Sequence, residues 1–292
     1  MPELPEVETI KDDLNRKIKG AVIFDFWTDW KKGIKMDLAK FKKNITGRKI
    51  LEVKRRGKNL LIFLSGKLVI HIHLKMTGHL LVKMAGGREQ AIDKNSHFSE
   101  KVNQYIHHIW YLKKNGKKFQ MDFSDLRKFA KIRLMTAEEL ESDKELNSLG
   151  VEPLALDFTL NKFKKILERK NNWFVRDILM EQNLIAGIGN IYVSEILFEA
   201  GVMPKRRAHD LSLGEVKKVY SAIKSVLKKA VALRGTSDSD YRDTSGAKGR
   251  FQEVLKVYNQ EGKKCARLRC AGVVKREKHK QRSAFFCEGC QR

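Results

Sequence analysis

Over residues 7–17 the apolar side chains Val7, Ile10 and Leu14 recur at the spacing of one helix face, which predicts a short amphipathic helix. The period then changes. Residues 50–53, 60–64, 68–74, 108–112 and 119–123 are short, β-rich and often alternating, with breaks at Arg56-Gly57 and Ser65-Gly66. Several short strands in succession predict a sandwich or barrel over residues ~20 to ~135. Residues 85–104 are polar without periodicity and read as an exposed loop. From Thr136 onward residues 137–149, 159–169, 175–181, 192–200 and 212–233 carry apolar positions three and four apart, the pattern of an all-α domain. Asp210-Leu211-Ser212 resembles a helix start, and Gly187-Ile188-Gly189-Asn190 forms a turn between two helices. Residues 235–249, rich in Gly, Ser, Asp and Thr, predict a mobile loop, and residues 251–258 begin a strand-like tail. No internal repeat is visible. The fold class is α+β multidomain, with segments at 1–135, 136–234 and 235–292.

Charge sharpens this picture. Sixty Lys and Arg against thirty-five Asp and Glu give the 292-residue chain a formal charge of +25. The basic residues are spread along the chain, as on a folded surface that faces a polyanion and gains affinity by releasing its counterions. A basic ribosomal or RNA-associated protein would share that composition, so motifs must decide. The start is acidic and lacks the apolar run of a secretory leader, and no stretch approaches the roughly 20 apolar residues of a membrane span. A cytoplasmic location is the expectation.

Two patterns carry chemistry. Cys265 and Cys270 are separated by four residues, Cys287 and Cys290 by two, and sixteen lie between the pairs, close to the spacing of a four-thiolate zinc site. Four thiolates leave no open coordination position, so one structural Zn²⁺ is expected, holding a hairpin that bears Lys275, Arg276, Lys278, Lys280 and Arg282. The second pattern is Met1-Pro2-Glu3. Trimming of Met1 before a small residue would expose a secondary amine, and α-amino groups titrate near roughly 7.7–8.0, so a neutral nucleophilic fraction exists at physiological pH.

The run Pro2-Glu3-Leu4-Pro5-Glu6-Val7-Glu8 resembles the start of the formamidopyrimidine-DNA glycosylase and endonuclease VIII family. Further segments follow that family in order. They are Arg55-Arg56-Gly57-Lys58-Asn59-Leu60, His73-Leu74-Lys75-Met76-Thr77-Gly78, Asp125-Leu126-Arg127-Lys128-Phe129, Gly187-Ile188-Gly189-Asn190-Ile191-Tyr192 and Gln281-Arg282-Ser283 through Cys290-Gln291. The resemblance spans nearly the whole chain. It implies an N-terminal catalytic β-sandwich, a helix-two-turns-helix domain and a lesion-recognition loop with a C-terminal zinc finger.

For the site, the resemblance implies Pro2 as the Schiff-base nucleophile, Glu3 as general acid, Lys58 in proton transfer during β-elimination and Arg282 in δ-elimination. Met76, Arg127 and Phe129 would fill the gap left by a flipped nucleotide, an apolar wedge with a guanidinium that offsets the unstacking cost. Asn190 would bind phosphate at a helix start and Lys170 would add a basic phosphate contact. The implied partner is damaged double-stranded DNA, bound by a monomer without a membrane, near the bacterial nucleoid. The implied activity is a bifunctional glycosylase and abasic-site lyase. Gly235-Thr236-Ser237-Asp238-Ser239-Asp240-Tyr241 and Gly249-Arg250-Phe251-Gln252 resemble the branch specific for oxidised purines. The alternatives are an endonuclease VIII-like enzyme for oxidised pyrimidines and a non-catalytic damage-binding relative. The chain departs from the family pattern in the four-residue gap between Cys265 and Cys270, Ala130 in place of glycine, Leu126 in place of proline, and Ile106 in place of a DNA-contacting histidine, with His107 or His108 as substitutes.

Overall fold

The computed structural model describes residues 1–84, 97–238 and 240–292. Part of the expected loop at 85–104, and Ser239 of the loop at 235–249, therefore lie outside the described residues. The chain divides into two compact units, residues 1–147 with 233–250, and residues 148–232 with 251–292.

In the first unit α1 (Leu4–Ile18) is followed by β1 (Val22–Thr28), α2 (Leu38–Ile45), β2 (Ile50–Arg56), β3 (Asn59–Leu64), β4 (Leu68–His73) and β5 (His79–Met84). After these come β6 (Ile106–Lys114), β7 (Lys117–Ser124), β8 (Lys131–Thr136), α3 (Ala137–Glu141) and α4 (Lys144–Asn147). The strands form two antiparallel four-stranded sheets, β1-β6-β7-β5 and β2-β3-β4-β8. Val7, Ile10 and Leu14 of α1 share one core with Ile62, Ile70 and Ile72 of the second sheet and Trp110, Leu112 and Phe123 of the first. Burial of those faces makes the sandwich, one of the two architectures that the succession of short strands left open.

Strand β1 escaped the pattern because its register shifts between Ile23 and Asp25, which breaks the alternation. The helix expected over 137–149 is two short ones. Ser142 turns its hydroxyl onto the carbonyl of Glu138, 3.0 Å away, and Asp143 accepts the Leu146 N–H at 2.9 Å, so both side chains satisfy backbone groups locally and end one helix while starting the next. The described part of the loop before β6 is not simply exposed. Asn103 is buried, donates to the carbonyls of His97 and Gly246, and lies 2.9 Å from His79 Nε2.

The second unit contains α5 (Leu160–Arg169), α6 (Val175–Met180), α7 (Asn190–Ala200), α8 (Leu213–Ala232) and the hairpin of β9 (Val274–His279) with β10 (Arg282–Cys287). Ser212 accepts the Glu215 N–H while Glu215 accepts that of Ser212, a reciprocal cap at the helix start that Asp210-Leu211-Ser212 suggested. The tail after residue 250 is not strand-like: Phe251–Val254 is a 3₁₀ turn, and buried Glu195 of α7 accepts the N–H groups of Lys256, Val257 and Tyr258 at 2.9 Å each. A carboxylate satisfies this backbone where a neighbouring strand would have done so.

Residues 233–250 belong to the first unit and not with the cysteine tail. The mobile loop predicted there is largely anchored, because its polar residues meet partners on α1 instead of water. Arg242, Asp243 and Thr244 are buried. Among the described residues no helix is long and apolar enough to cross a membrane.

Candidate functional site

Glu3 is the N-cap of α1, and its N–H donates to the Glu6 carboxylate at 2.7 Å. Pro5, with its fixed φ and no N–H to satisfy, suits the first turn. Met1 is exposed, whereas Pro2 and Glu3 behind it are buried. Further along α1, Glu8 binds Arg55 Nε, and Arg55 Nη1 donates to the Gly57 carbonyl at 3.0 Å. Burial alone would raise the Glu8 carboxyl, but Arg55 and Lys11 outweigh it and hold the group below its usual range. This chain of contacts ties the start of the protein to the turn between β2 and β3, where Gly57 adopts a φ of 56°. Lys58 follows it and is buried.

Beside Lys58 stands His73, which sequence reasoning assigned no role of its own. Burial first, then the positive charges of Lys75, Lys58 and Lys131 and the proximity of His71, pushes its imidazole down to about 3, so it is neutral at physiological pH. Its neighbour His71, lowered to about 4 by burial and Arg133, accepts from Arg133 on Nδ1 at 2.8 Å. Its other nitrogen therefore carries the proton and donates to Asn59 Oδ1 at 2.8 Å. The cue in the sequence was His71-Ile72-His73, two histidines on one face of a strand.

Arg127, Phe129 and Met76 come together. Arg127 Nη1 lies 3.0 Å from Met76 Sδ, and its guanidinium carbon is 4.6 Å from the Phe129 ring centre. Both apolar side chains are conspicuously exposed, Met76 at 43 % and Phe129 at 50 %. The loop carrying them is fixed from below by fully buried Asp125, which accepts the Thr77 hydroxyl and the N–H groups of Phe129 at 2.9 Å and Ala130 at 3.0 Å. Lys128 takes a left-handed φ of 53° at the bend, and Ala130 is buried. The histidine substitutes fare differently. His107 pairs with Asp29, and His108 is fully buried among Phe26, Trp30, Trp110 and Phe123, so His108 is a core residue with no face toward a ligand.

In the second unit Asn190 opens α7, and its Oδ1 accepts from Arg176 Nη2 at 2.7 Å. The same nitrogen lies 3.4 Å from the Ser283 carbonyl, which links Asn190 to the residue after Arg282. Gln182 ties the preceding turn, accepting the Gly187 N–H at 2.9 Å and donating to the Ile188 carbonyl at 2.8 Å. Arg282 is exposed at the tip of the hairpin, on a cleft of about 460 Å³ lined also by Arg276, Lys278, Gln281, Ser283 and Glu261. Lys170 ends α5 with its ammonium 4.4 Å from the Trp173 ring centre, a cation–π contact. Arg176 and Asp177 were missed: both stand on a short apolar helix, where a charged pair reads as solvated surface, yet Arg176 is buried and Asp177 holds the hairpin through His279 at 2.8 Å.

The thiol sulfurs of Cys265, Cys270, Cys287 and Cys290 lie within 4.8 Å of one another, with Cys265–Cys290 at 3.6 Å and Cys270–Cys287 at 3.7 Å. These distances are far beyond a disulfide. Four sulfurs at ~2.3 Å from a tetrahedral ion stand roughly 3.8 Å apart, so the donor set fits such a cation. Gly272 and Gly289 are needed for this approach, since a Cβ at Gly272 would lie 2.7 Å from Cys287 Sγ and one at Gly289 3.0 Å from Cys270 Sγ. The long first knuckle closes by bulging outward, with Leu268 88 % exposed and Arg269 at a φ of 62°.

Comparison with known proteins matches the family described as formamidopyrimidine-DNA glycosylase N-terminal domain over residues 1–132, and the formamidopyrimidine-DNA glycosylase H2TH domain over residues 149–241. A formamidopyrimidine-DNA glycosylase of Carboxydothermus hydrogenoformans is 39 % identical over 295 residues, covering all of both chains. A Lactococcus lactis relative solved in complex with DNA containing Fapy-dG superposes with a TM-score of 0.86 at 28 % identity, again covering all of both chains. The wild-type Lactococcus lactis protein in complex with DNA containing an oxidised pyrimidine gives a TM-score of 0.85 at 28 % identity and the same coverage.

Proposed function

The chain belongs to the formamidopyrimidine-DNA glycosylase family, and from that premise we propose that it excises oxidised purines from duplex DNA and then cleaves the resulting abasic strand. A DNA glycosylase of base-excision repair is the general activity that the family carries. The finer reading rests above all on one observation: the Pro2-Glu3 start and the Gly57-Lys58 turn are joined through Glu8 and Arg55 in a single compact unit.

In this reading Met1 is removed and the Pro2 nitrogen attacks C1′ of the damaged nucleotide. A bond forms between that nitrogen and C1′, the bond from C1′ to the base breaks, and the base leaves with a proton. Glu3 delivers a proton to the opening sugar, which leaves an iminium on Pro2. Lys58 moves protons during the β-elimination that expels the 3′-phosphate, and Arg282 assists the δ-elimination that expels the 5′-phosphate. Met76, Arg127 and Phe129 replace the flipped nucleotide in the stack, their exposure and mutual contact being what a wedge requires. Asn190 and Lys170 hold backbone phosphate. The four cysteines would hold one Zn²⁺ that keeps the basic hairpin folded. The protein works in the cytoplasm as a monomer on damaged double-stranded DNA.

The test is borohydride trapping on duplex DNA carrying 8-oxoguanine opposite cytosine, followed by mass spectrometry of the linked peptide. Reduction of the iminium should leave DNA attached to Pro2, with no adduct in Pro2→Gly. Tight binding without trapping, on this duplex and on one with an abasic site, would overturn the catalytic reading in favour of a damage-binding protein. Since the Lactococcus lactis relative was solved with an oxidised pyrimidine in its DNA, a second duplex with such a lesion belongs in the same experiment. Faster trapping on that duplex would favour the pyrimidine-directed alternative.

A further inference from the structure

Residues 233–250 leave α8 and return to the 3₁₀ turn at Phe251 as a closed loop, the Arg250 N–H donating to the Leu233 carbonyl at 2.7 Å. Its first leg is held by Glu6, which accepts the Thr236 N–H at 2.7 Å. Gly235 has a φ of 79°, and a Cβ there would stand 2.5 Å from Glu6 Oε1, so the leg lies directly on the carboxylate.

The second leg is held by a charge bracket. Asp13 on α1 and Asp243 on the loop are both buried, and Arg234 donates to both, at 2.5 Å to Asp13 Oδ2 and at 2.7 Å to Asp243 Oδ2. Thr244 donates its hydroxyl to the same Asp13 oxygen at 2.9 Å. Lys17 contacts the hydroxyls of Thr244 and Ser245 at 2.8 Å each. Asp243 in turn accepts the N–H groups of Ser245 and Ala247, which fixes the bend. Burial alone would raise Asp13, but the Arg234 guanidinium outweighs it and keeps the carboxylate ionised.

We infer that the Asp13–Arg234–Asp243 bracket positions this loop for selection of the damaged base, which makes Arg234 a specificity-determining residue without contact to the reacting atoms. The inference rests on the proposed glycosylase and lyase activity and deepens it. Residues 234 and 243 flank the tip, so the bracket fixes its ends ahead of any ligand and lowers the ordering cost of closing on a base. One cation serves two buried carboxylates. Asp13 keeps the more exposed Arg16 on its other oxygen and Lys17 lies near both carboxylates, but loss of Arg234 removes the direct cation from Asp243 and the tie between the two, and the cheapest relief is for the loop leg to lift from α1 and hydrate. Cleavage at an abasic site makes no use of base recognition, so the two activities should separate.

The experiment compares single-turnover excision of 8-oxoguanine with strand cleavage at a preformed abasic site in the same duplex, for the full chain and the variants Arg234→Gln, Arg234→Lys and Asp13→Asn. Arg234→Gln should slow excision about tenfold or more while abasic cleavage stays within roughly twofold, and Arg234→Lys should recover most of the loss. Asp13→Asn leaves Arg234 paired with Asp243 and should give an intermediate defect. Equal loss of both activities in all three variants, or no loss in any, overturns the bracket. A parent chain inert on both substrates overturns the proposed function itself, a result distinct from failure of the bracket.

Discussion

Arg127 reaches across to the Met76 thioether, Nη1 to Sδ 3.0 Å, with the Phe129 ring stacked beneath its guanidinium. None of the three packs into the core. What aligns them is Asp125, whose buried carboxylate takes the Thr77 hydroxyl beside Met76 and two backbone N–H groups on the other side of the loop.

Asp125→Asn is therefore expected to loosen the proposed wedge without touching it. The amide keeps one acceptor but turns an NH₂ toward backbone donors, at a cost of ~1–3 kcal/mol. Affinity for a duplex with an abasic-site analogue should fall about tenfold or more, measured by fluorescence anisotropy, while undamaged duplex binds as before. Equal losses on both duplexes would mean that Asp125 supports the fold and not the wedge.

The cysteine set predicts one zinc per chain by atomic emission, and none after Cys290→Ala. The apolar cluster near the cysteines is small, comprising Phe198, Val257, Val274, Phe285 and Cys287, so a metal held there would supply most of the hairpin's folding energy. A strong chelator should abolish DNA binding, and added Zn²⁺ should restore it.

Asp177 offers a test of the hairpin tip. It holds His279, the cross-strand partner of Arg282, and also the exposed Lys280, whose contribution solvent screens. Asp177→Asn should leave base excision within about twofold yet shift the products of strand cleavage from δ- toward β-elimination, read on a denaturing gel. An unchanged product ratio would show that Arg282 needs no such support.

Much of this was legible in the chain. Periodicity located α1 because it buries one face, short β-rich runs between turn residues located most strands of the sandwich although β3, β4 and β7 are buried at consecutive positions, and the cysteine spacing located the thiol cluster because the pairs sit on local turns. What stayed hidden depends on long-range pairing. Asp13, Arg234 and Asp243 look like ordinary surface charges until α1 and the loop meet. Arg176 looks solvated until Asn190 and Ser283 close over it. His108 stood with His107 as a substitute only because the resemblance aligned Ile106 with a DNA-contacting histidine, and the register shift between Ile106 and His108, which buries both histidines, could not be read from the chain.

His108 gives the pH prediction. Burial, and then the neighbouring His107, pushes its imidazole down to about 3, while in the unfolded chain it titrates near roughly 6.5. Above that value both states are neutral and the full stability is present. Between pH 6.5 and 3 the unfolded state binds a proton that the fold excludes, so stability falls with pH by at most ~1.4 kcal/mol per unit for this group. His71 and His73 add losses of the same sign. His108→Phe removes the titration and a buried Nε2 that has no hydrogen-bond partner among the described residues, at the cost of the contact between Nδ1 and Thr28. Thermal melts from pH 7.5 to 5 should therefore show a shallower decline in His108→Phe than in the parent chain. A parallel decline would mean that His108 is protonated within the fold and that its aromatic pocket admits charge.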